Sequence, residues 1–490
     1  MTLGPRESTG TDMSPDEFRA VGHRVVDWIA EYLAHIDQYP VLARTVPGAI
    51  RGALPSTPPF EGESMDAILA DFETTILPGV THWNHPGFLA YFAITGSGPG
   101  IVGELLTAAL NVNGMLWKTS PAATELEEVA LAWLRSMVGL PEQFFGVIMD
   151  TASVASLCAI AAAREAVREH RFRVEGMAGG PRLRLYTSEQ AHSSVEKAAM
   201  VLGLGQRGVR KIPVDAEFRL DPRALATAIA EDRRQGWRPF CVAATVGTTS
   251  TTSVDPVPAI AEICEREGLW LHVDGAYAGI AAIVPEYRWV LDGCERADSL
   301  VVNPHKWLFT PIDCSAFYCR RPDLLRQTFS LIPDILRTPE GTAGAVVDFM
   351  DYGIQLGRRF RALKLWMVIR YFGWEGLAAR IREHIRLGRL VASWVDADPT
   401  FERLAPTPFS IICFRVHPPG ASEDVLDALN AGVLEAVNAT GRAYLSTTKL
   451  HGRRALRLAI GNLRTTEAHV RATWDLLQTH AHALTPTRLG

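Results

Sequence analysis

What this sequence lacks narrows it first. Nowhere among its 490 residues does an apolar run approach the ~20 residues that cross a bilayer, so no membrane span is expected. It also lacks a basic excess. Against 49 lysines and arginines stand 54 acids, and the net charge of −5 excludes the electropositive footprint of a nucleic-acid binder. Paired cysteines are missing too. The seven at 158, 241, 264, 294, 314, 319 and 413 are odd in number and never spaced Cys-x-x-Cys. They read as small buried hydrophobes in a reducing compartment, not as disulfide partners or metal ligands. Met1 to Met13 is polar, without the apolar core of a signal peptide; it is expected to be disordered, and the cytoplasm is the expected location. No internal repeat or low-complexity tract interrupts the chain.

What is present points to an α/β enzyme. A hydrophobic content of 47% over this length supports a large core spread over two or three compact units. From about residue 121 to 385, strand-length apolar runs alternate with helical patterns, which demands a mainly parallel sheet covered by helices. Ahead of it, Ser14-Pro15-Asp16-Glu17 opens a helix with an apolar stripe at Phe18, Val21, Val25, Trp28, Ile29 and Leu33, and a second capped helix follows Ser64. A helix from about Leu363 to Phe372 then leads to a small α+β unit, in which the strands at 409–414 and 455–460 alternate with helices. The expected division is therefore 1–95 as an amino-terminal helical layer and pocket wall, 96–385 as the large domain, and 386–490 as the small domain.

One lysine organises the middle section. Ser299-Leu300-Val301-Val302 reads as a buried strand ended by Asn303-Pro304, and Lys306 follows among His305, Trp307 and Phe309. A lysine held there is a candidate amine nucleophile of lowered pKa, able to form a Schiff base with an aldehyde. The same pentapeptide also suits a lysine whose stem lies on apolar surface while its head reaches water. A second strand, Leu269 to Val273, ends in Asp274-Gly275-Ala276-Tyr277, at the sheet edge where open α/β folds bind ligands. Lysine and aspartate together are what pyridoxal phosphate requires, one for its aldehyde and one to keep its pyridine nitrogen protonated. A third strand, 146–149, feeds an Ala-rich helix, expected to run to about His170, through Asp150-Thr151-Ala152-Ser153, whose free N–H groups and hydroxyl would receive a phosphate. A strand at 240–247 ends in Thr248-Thr249-Ser250, and Ser193 with Glu196 has the spacing of a capping box just after His192.

Four stretches carry a resemblance. His272-Val273-Asp274-Gly275-Ala276-Tyr277-Ala278-Gly279, Asn303-Pro304-His305-Lys306-Trp307, Ala191-His192-Ser193-Ser194-Val195-Glu196-Lys197-Ala198 and Leu356-Gly357-Arg358-Arg359-Phe360-Arg361 resemble the aromatic-L-amino-acid decarboxylases. These are the group II pyridoxal-phosphate decarboxylases, and the similarity runs from about residue 14 to about 475. It implies the fold-type-I architecture of pyridoxal-phosphate-dependent transferases and decarboxylation of an aromatic L-amino acid. It also implies an obligate homodimer with the active site at the subunit interface. The resemblance assigns catalysis to Lys306, His192, Asp274 and His305. It assigns cofactor binding to Thr151, Ala152, Ser153, His192, Thr249, Asp274, Ala276, Asn303, His305 and Lys306. The substrate pocket would be walled by Trp83, Tyr91, Phe92, Met115, Ile335 and Gly357, with Arg358 and Arg359 either clamping an anion or lying on the surface.

Two departures stand out. Asp150 occupies a place where many members have glycine, and a carboxylate beside a phosphate is unfavourable unless it turns away. Ile335, in a loop at 329–350 expected to be mobile, stands where typical members carry a tyrosine that helps protonate the carbanionic intermediate. In relatives with phenylalanine there, the intermediate reacts with oxygen to yield an aldehyde, ammonia and peroxide. The expected product is thus the amine, with an aromatic aldehyde as the alternative; a non-catalytic pyridoxal-phosphate-binding protein is a further alternative from another class.

Overall fold

The computed structural model describes residues 12–485; most of the Met1–Met13 segment lies outside them. Among the described residues, twelve strands form two sheets. In chain order they are β1 (Phe88–Leu89), β2 (Phe145–Met149), β3 (Leu183–Ser188), β4 (Val209–Ile212), β5 (Arg238–Thr245), β6 (Trp270–Asp274), β7 (Ser299–Val302), β8 (Ser315–Cys319), β9 (Phe401–Arg403), β10 (Ile411–Val416), β11 (Tyr444–Leu450) and β12 (Arg453–Ala459). The large sheet runs β2-β8-β7-β6-β5-β3-β4. It is parallel from β4 through β7, and only β8 runs against its neighbours.

Period-2 alternation explains why this sheet is buried on both faces. Ile148, Val242, Leu271, Val273 and Leu300 project into one core, while Val147, Met149, Cys241, Ala243, Trp270 and Val301 project into the other. The seven cysteines are free and buried, six in these cores and Cys413 in a smaller cluster on β10, and burial pushes each thiol upward. No helix among the described residues is long and apolar enough to cross a membrane.

The amino-terminal layer is thinly anchored. Ser14 caps the helix Pro15–Ala34 as its sequence requires, yet Val21 is the helix's one fully buried residue, and Phe18 and Val26 remain exposed. Apolar side chains are likewise exposed on the helix Gly98–Leu110: Val102, Leu105, Leu106 and Leu110. Its inner face lies so close to the helix beginning at Arg361 that a Cβ on Gly103 would meet Lys364 Cα at 2.7 Å.

Three expectations change. The predicted capping box at Ser193 does not form: Ser193 is itself helical, His192 Nδ1 takes the Ser194 N–H instead, and Glu196 pairs with Lys211 at 3.0 Å. The helix after Ser153 stops at Glu165, short of His170. The helix predicted from Leu363 to Phe372 instead spans Arg361–Ala397, bending where Gly373 adopts φ 65°. It leaves the large sheet, passes the expected domain boundary at 385, and packs on the small sheet β1-β11-β12-β10-β9. Phe88 and Leu89 also join that sheet, beside Tyr444 and Leu445.

Candidate active site

The parallel strands β5, β6 and β7 stop at one edge, because Thr245 pairs with Asp274 and Asp274 with Val301. Beyond that edge lies a cavity of about 200 Å³. Thr151, Ala152, Ser153, His192, Thr249, Asp274, Ala276, Asn303, His305 and Lys306 all line it, and so does Phe92. Ten cofactor candidates, scattered over more than 150 residues of chain, thus converge. A hollow of about 390 Å³ elsewhere, walled by Asp37, Arg44 and His469, includes no lysine.

Lys306 sits on the single turn Pro304–Trp307 that follows β7, and its Nζ lies 4.9 Å from the centre of the Phe92 ring. Burial pulls its pKa below the ordinary lysine value and nearby Arg457 adds to the shift, while Asp274 opposes it. His305, beside it, is immobilised: its Nδ1 accepts the Cys314 N–H at 3.0 Å, and its Nε2 lies 3.4 Å from Asn303 Nδ2. Burial, then the charge of Lys306, brings His305 down to about 4, so the ring is neutral at physiological pH. Asp274 is buried, and one of its carboxylate oxygens accepts the Ala276 N–H at 3.1 Å.

The opposite wall is the start of the helix Ala152–Glu165. Thr151, its cap residue, makes no side-chain capping bond, which leaves the first N–H groups directed at the cavity. The Asp150 carboxylate turns aside, accepting the Thr151 N–H at 2.7 Å and Gln355 Nε2 at 3.2 Å. Asn303 Oδ1 is buried without a partner. Free helical N–H groups, a lowered amine, a buried acid and an unfilled polar atom are a donor set that fits pyridoxal phosphate. His192 stands at the cavity mouth, its Nδ1 2.9 Å from Ser194 Oγ, and burial lowers its pKa.

Of the six substrate-wall candidates, Phe92 alone lines this cavity. Trp83 stacks on Phe88 and Tyr91, and Tyr91 is half exposed with its hydroxyl 3.1 Å from that of Tyr444. Gly357 and Met115 both lie near Asn113, away from the cavity lining. Ile335 is 89% exposed on a 3₁₀ turn, Asp334–Leu336. Arg358 is neither clamp nor surface residue: it is buried, donates to Glu127 at 2.6 Å and to the Ile148 carbonyl at 2.9 Å, and is spent on the scaffold. Arg359 is exposed and pairs with Glu104 at 2.6 Å.

Sequence reasoning overlooked three contributors. Tyr277 is sandwiched between Phe92 (centroids 4.1 Å apart) and Trp307 (4.5 Å), and its hydroxyl meets Ser410 Oγ of the small sheet at 2.9 Å. Gly247 adopts φ +91°, and a Cβ there would lie 2.5 Å from that of Ala278, so only glycine lets the β5 and β6 loops meet. Arg457, on β12, lies 5.0 Å from the Phe92 ring centre, donates to the Ser250 carbonyl at 3.0 Å, and keeps Nη2 unpaired. A charge between Leu456 and Leu458 in a buried strand was the available signal.

The family model for the pyridoxal-dependent decarboxylase conserved domain matches residues 47–417. Tyrosine decarboxylase 4 of Petroselinum crispum is 42% identical over 484 residues, 96% of this chain and 94% of that protein. A phenylacetaldehyde synthase of Arabidopsis thaliana is also 42% identical, over 480 residues, 96% of this chain and 97% of that protein. Among solved structures, Oryza sativa TDC with PLP and tryptamine superposes with a TM-score of 0.94 at 38% identity, covering 97% of this chain and 99% of that one.

Proposed function

Since the chain belongs to the pyridoxal-dependent decarboxylase family, we propose that it converts an aromatic L-amino acid to the corresponding amine and CO2 through the cavity at the ends of β5, β6 and β7. It is a pyridoxal-phosphate-dependent carboxy-lyase of fold type I. When bound, pyridoxal phosphate supplies the electron sink for the pair released as the carboxylate leaves.

The observation that carries the residue assignment is the convergence of Lys306 and Asp274 on one cavity from adjacent strands. Lys306 Nζ would hold the cofactor aldehyde, and its lowered pKa keeps a fraction of the amine uncharged for that bond. Asp274 would hold a proton on the pyridine nitrogen. Thr151, Ala152 and Ser153 would receive the phosphate; His192 would cover the ring from the mouth; neutral His305 and Asn303 would orient the lysine. Arg457 Nη2, buried without a partner behind Phe92, would be the charge that answers the substrate carboxylate. Lys306→Ala protein should lose the visible absorbance of the lysine-bound cofactor; a band that persists and is fixed by borohydride would exclude Lys306.

A specific observation favours a second product. Ile335 has no proton to donate, and its exposed turn brings no substitute acid to the cavity. The second reading is therefore oxidation to the aromatic aldehyde with release of CO2, ammonia and peroxide. Turnover with and without oxygen, with amine, peroxide and CO2 counted, separates the two.

The enzyme is further read as a cytoplasmic homodimer. The exposed apolar face of the helix Gly98–Leu110 supports this reading, and that helix begins against Phe309 and Pro311, close to Lys306 in the chain. Sedimentation at monomer mass across micromolar concentrations would rule it out.

A further inference from the structure

His272 lies wholly inside the protein, and the residues assigned to cofactor and substrate leave it without a role. It projects from β6 two residues before Asp274, hence on the same face of the strand. Its Nδ1 is 3.0 Å from Ser299 Oγ on β7, and its Nε2 is 3.1 Å from Ser156 Oγ on the helix Ala152–Glu165. Trp270 Nε1 also donates to Ser299 Oγ, at 2.9 Å.

Indole N–H can only donate, so Ser299 Oγ accepts from Trp270 Nε1 and, with its hydrogen and second lone pair, partners His272 Nδ1 in either tautomer. Ser156 Oγ partners Nε2 in the same way. One ring therefore fastens together the strand that ends in Asp274, the strand that leads to Lys306, and the helix whose first turn holds Ala152 and Ser153. Ser156 is one helical turn beyond Ala152, so its position sets that of the phosphate-facing N–H groups.

We infer that His272 is a positioning residue that sets the separation between the phosphate-binding helix start and the ring-binding pair Asp274 and Lys306. This rests on the cofactor assignment above. The span of pyridoxal phosphate from ring to phosphate is constant, so a helix start free to drift loses the phosphate contacts while the ring contacts persist.

The test compares equilibrium affinities of the apoprotein for pyridoxal 5'-phosphate and for pyridoxal. Wild type should prefer the phosphate ester strongly. In His272→Leu the preference should fall by about tenfold, through weaker binding of the ester, with pyridoxal affinity unchanged. His272→Gln, which keeps a donor and an acceptor, should recover part of the preference. Ser156→Ala, which leaves the imidazole and the core in place, should reproduce the loss and decides the matter if His272→Leu does not fold. A general loosening of the fold would weaken both ligands equally; that result, or an unchanged preference in Ser156→Ala, overturns the inference. Wild-type protein that binds neither ligand overturns the cofactor reading itself, whereas normal wild-type binding with unaltered variants overturns only the role of His272.

Discussion

Acid should unfold this protein along a slope that its interior dictates. His272, His305 and His384 are buried, and burial is the leading cause that brings each down to about 4. Two of them also accept from a group that can only donate: His305 Nδ1 takes the Cys314 N–H at 3.0 Å, and His384 Nδ1 takes the Trp307 indole N–H at 3.0 Å. In the unfolded chain these rings titrate near ~6.5. Between that value and about 4 the unfolded state binds more protons than the folded one, so stability present at neutral pH is lost as pH falls. Each ring contributes about 3 kcal/mol over the window. Asp255 runs the other way. Burial raises its carboxyl to about 6, although it accepts N–H groups from Leu220 and Thr245 at 2.8 Å each, so the folded state keeps a proton there that the unfolded chain gives up. The balance at pH ~5 is about two protons taken up on unfolding, or about 3 kcal/mol per pH unit. Urea midpoints followed by tryptophan fluorescence, at fixed protein and cofactor concentrations, measure it. His384→Gln should remove about one proton of the uptake. A midpoint that stays level or rises from pH ~7 to ~5, or a His384→Gln slope equal to wild type, refutes the reasoning.

Ile335→Tyr should move the products toward amine, with peroxide per CO2 falling about tenfold; a constant ratio would detach this loop from product choice. Gly247→Ala should cost about 2–3 kcal/mol in urea, because the left-handed backbone and the 2.5 Å approach to Ala278 are strained together, and should weaken cofactor binding. Wild-type stability in that variant would mean that the β5 and β6 loops separate freely. Asp150→Asn keeps an acceptor for the Thr151 N–H and removes a charge near the helix start, so affinity for pyridoxal 5'-phosphate should rise about two- to fivefold. Equal or weaker binding by titration would show that the charge is already screened.

Much of this protein could be read along the chain. Lys306 and Asp274 each follow an apolar strand, and a strand's end is a local property: alternation stops, and Asn-Pro or Asp-Gly turns the backbone. The Ser14 and Ser64 caps formed for the same reason, since a capping oxygen needs only an N–H group three residues away. The capping box at Ser193 failed because Ser193 takes helical backbone angles and the Glu196 carboxylate turns to Lys211, an outcome spacing does not decide. Only the tertiary structure determined what lies opposite each strand end. Arg358 became scaffold because Glu127 meets it from a helix more than 200 residues earlier, while Arg457 came to lie against the Phe92 ring because β12 passes behind it. Ser156, His272 and Ser299 join through the packing of one helix on two strands. Charges and hydroxyls carry no periodic mark of their partners. Their pairing follows from which elements the burial of apolar faces brings together, and that is a property of the whole chain.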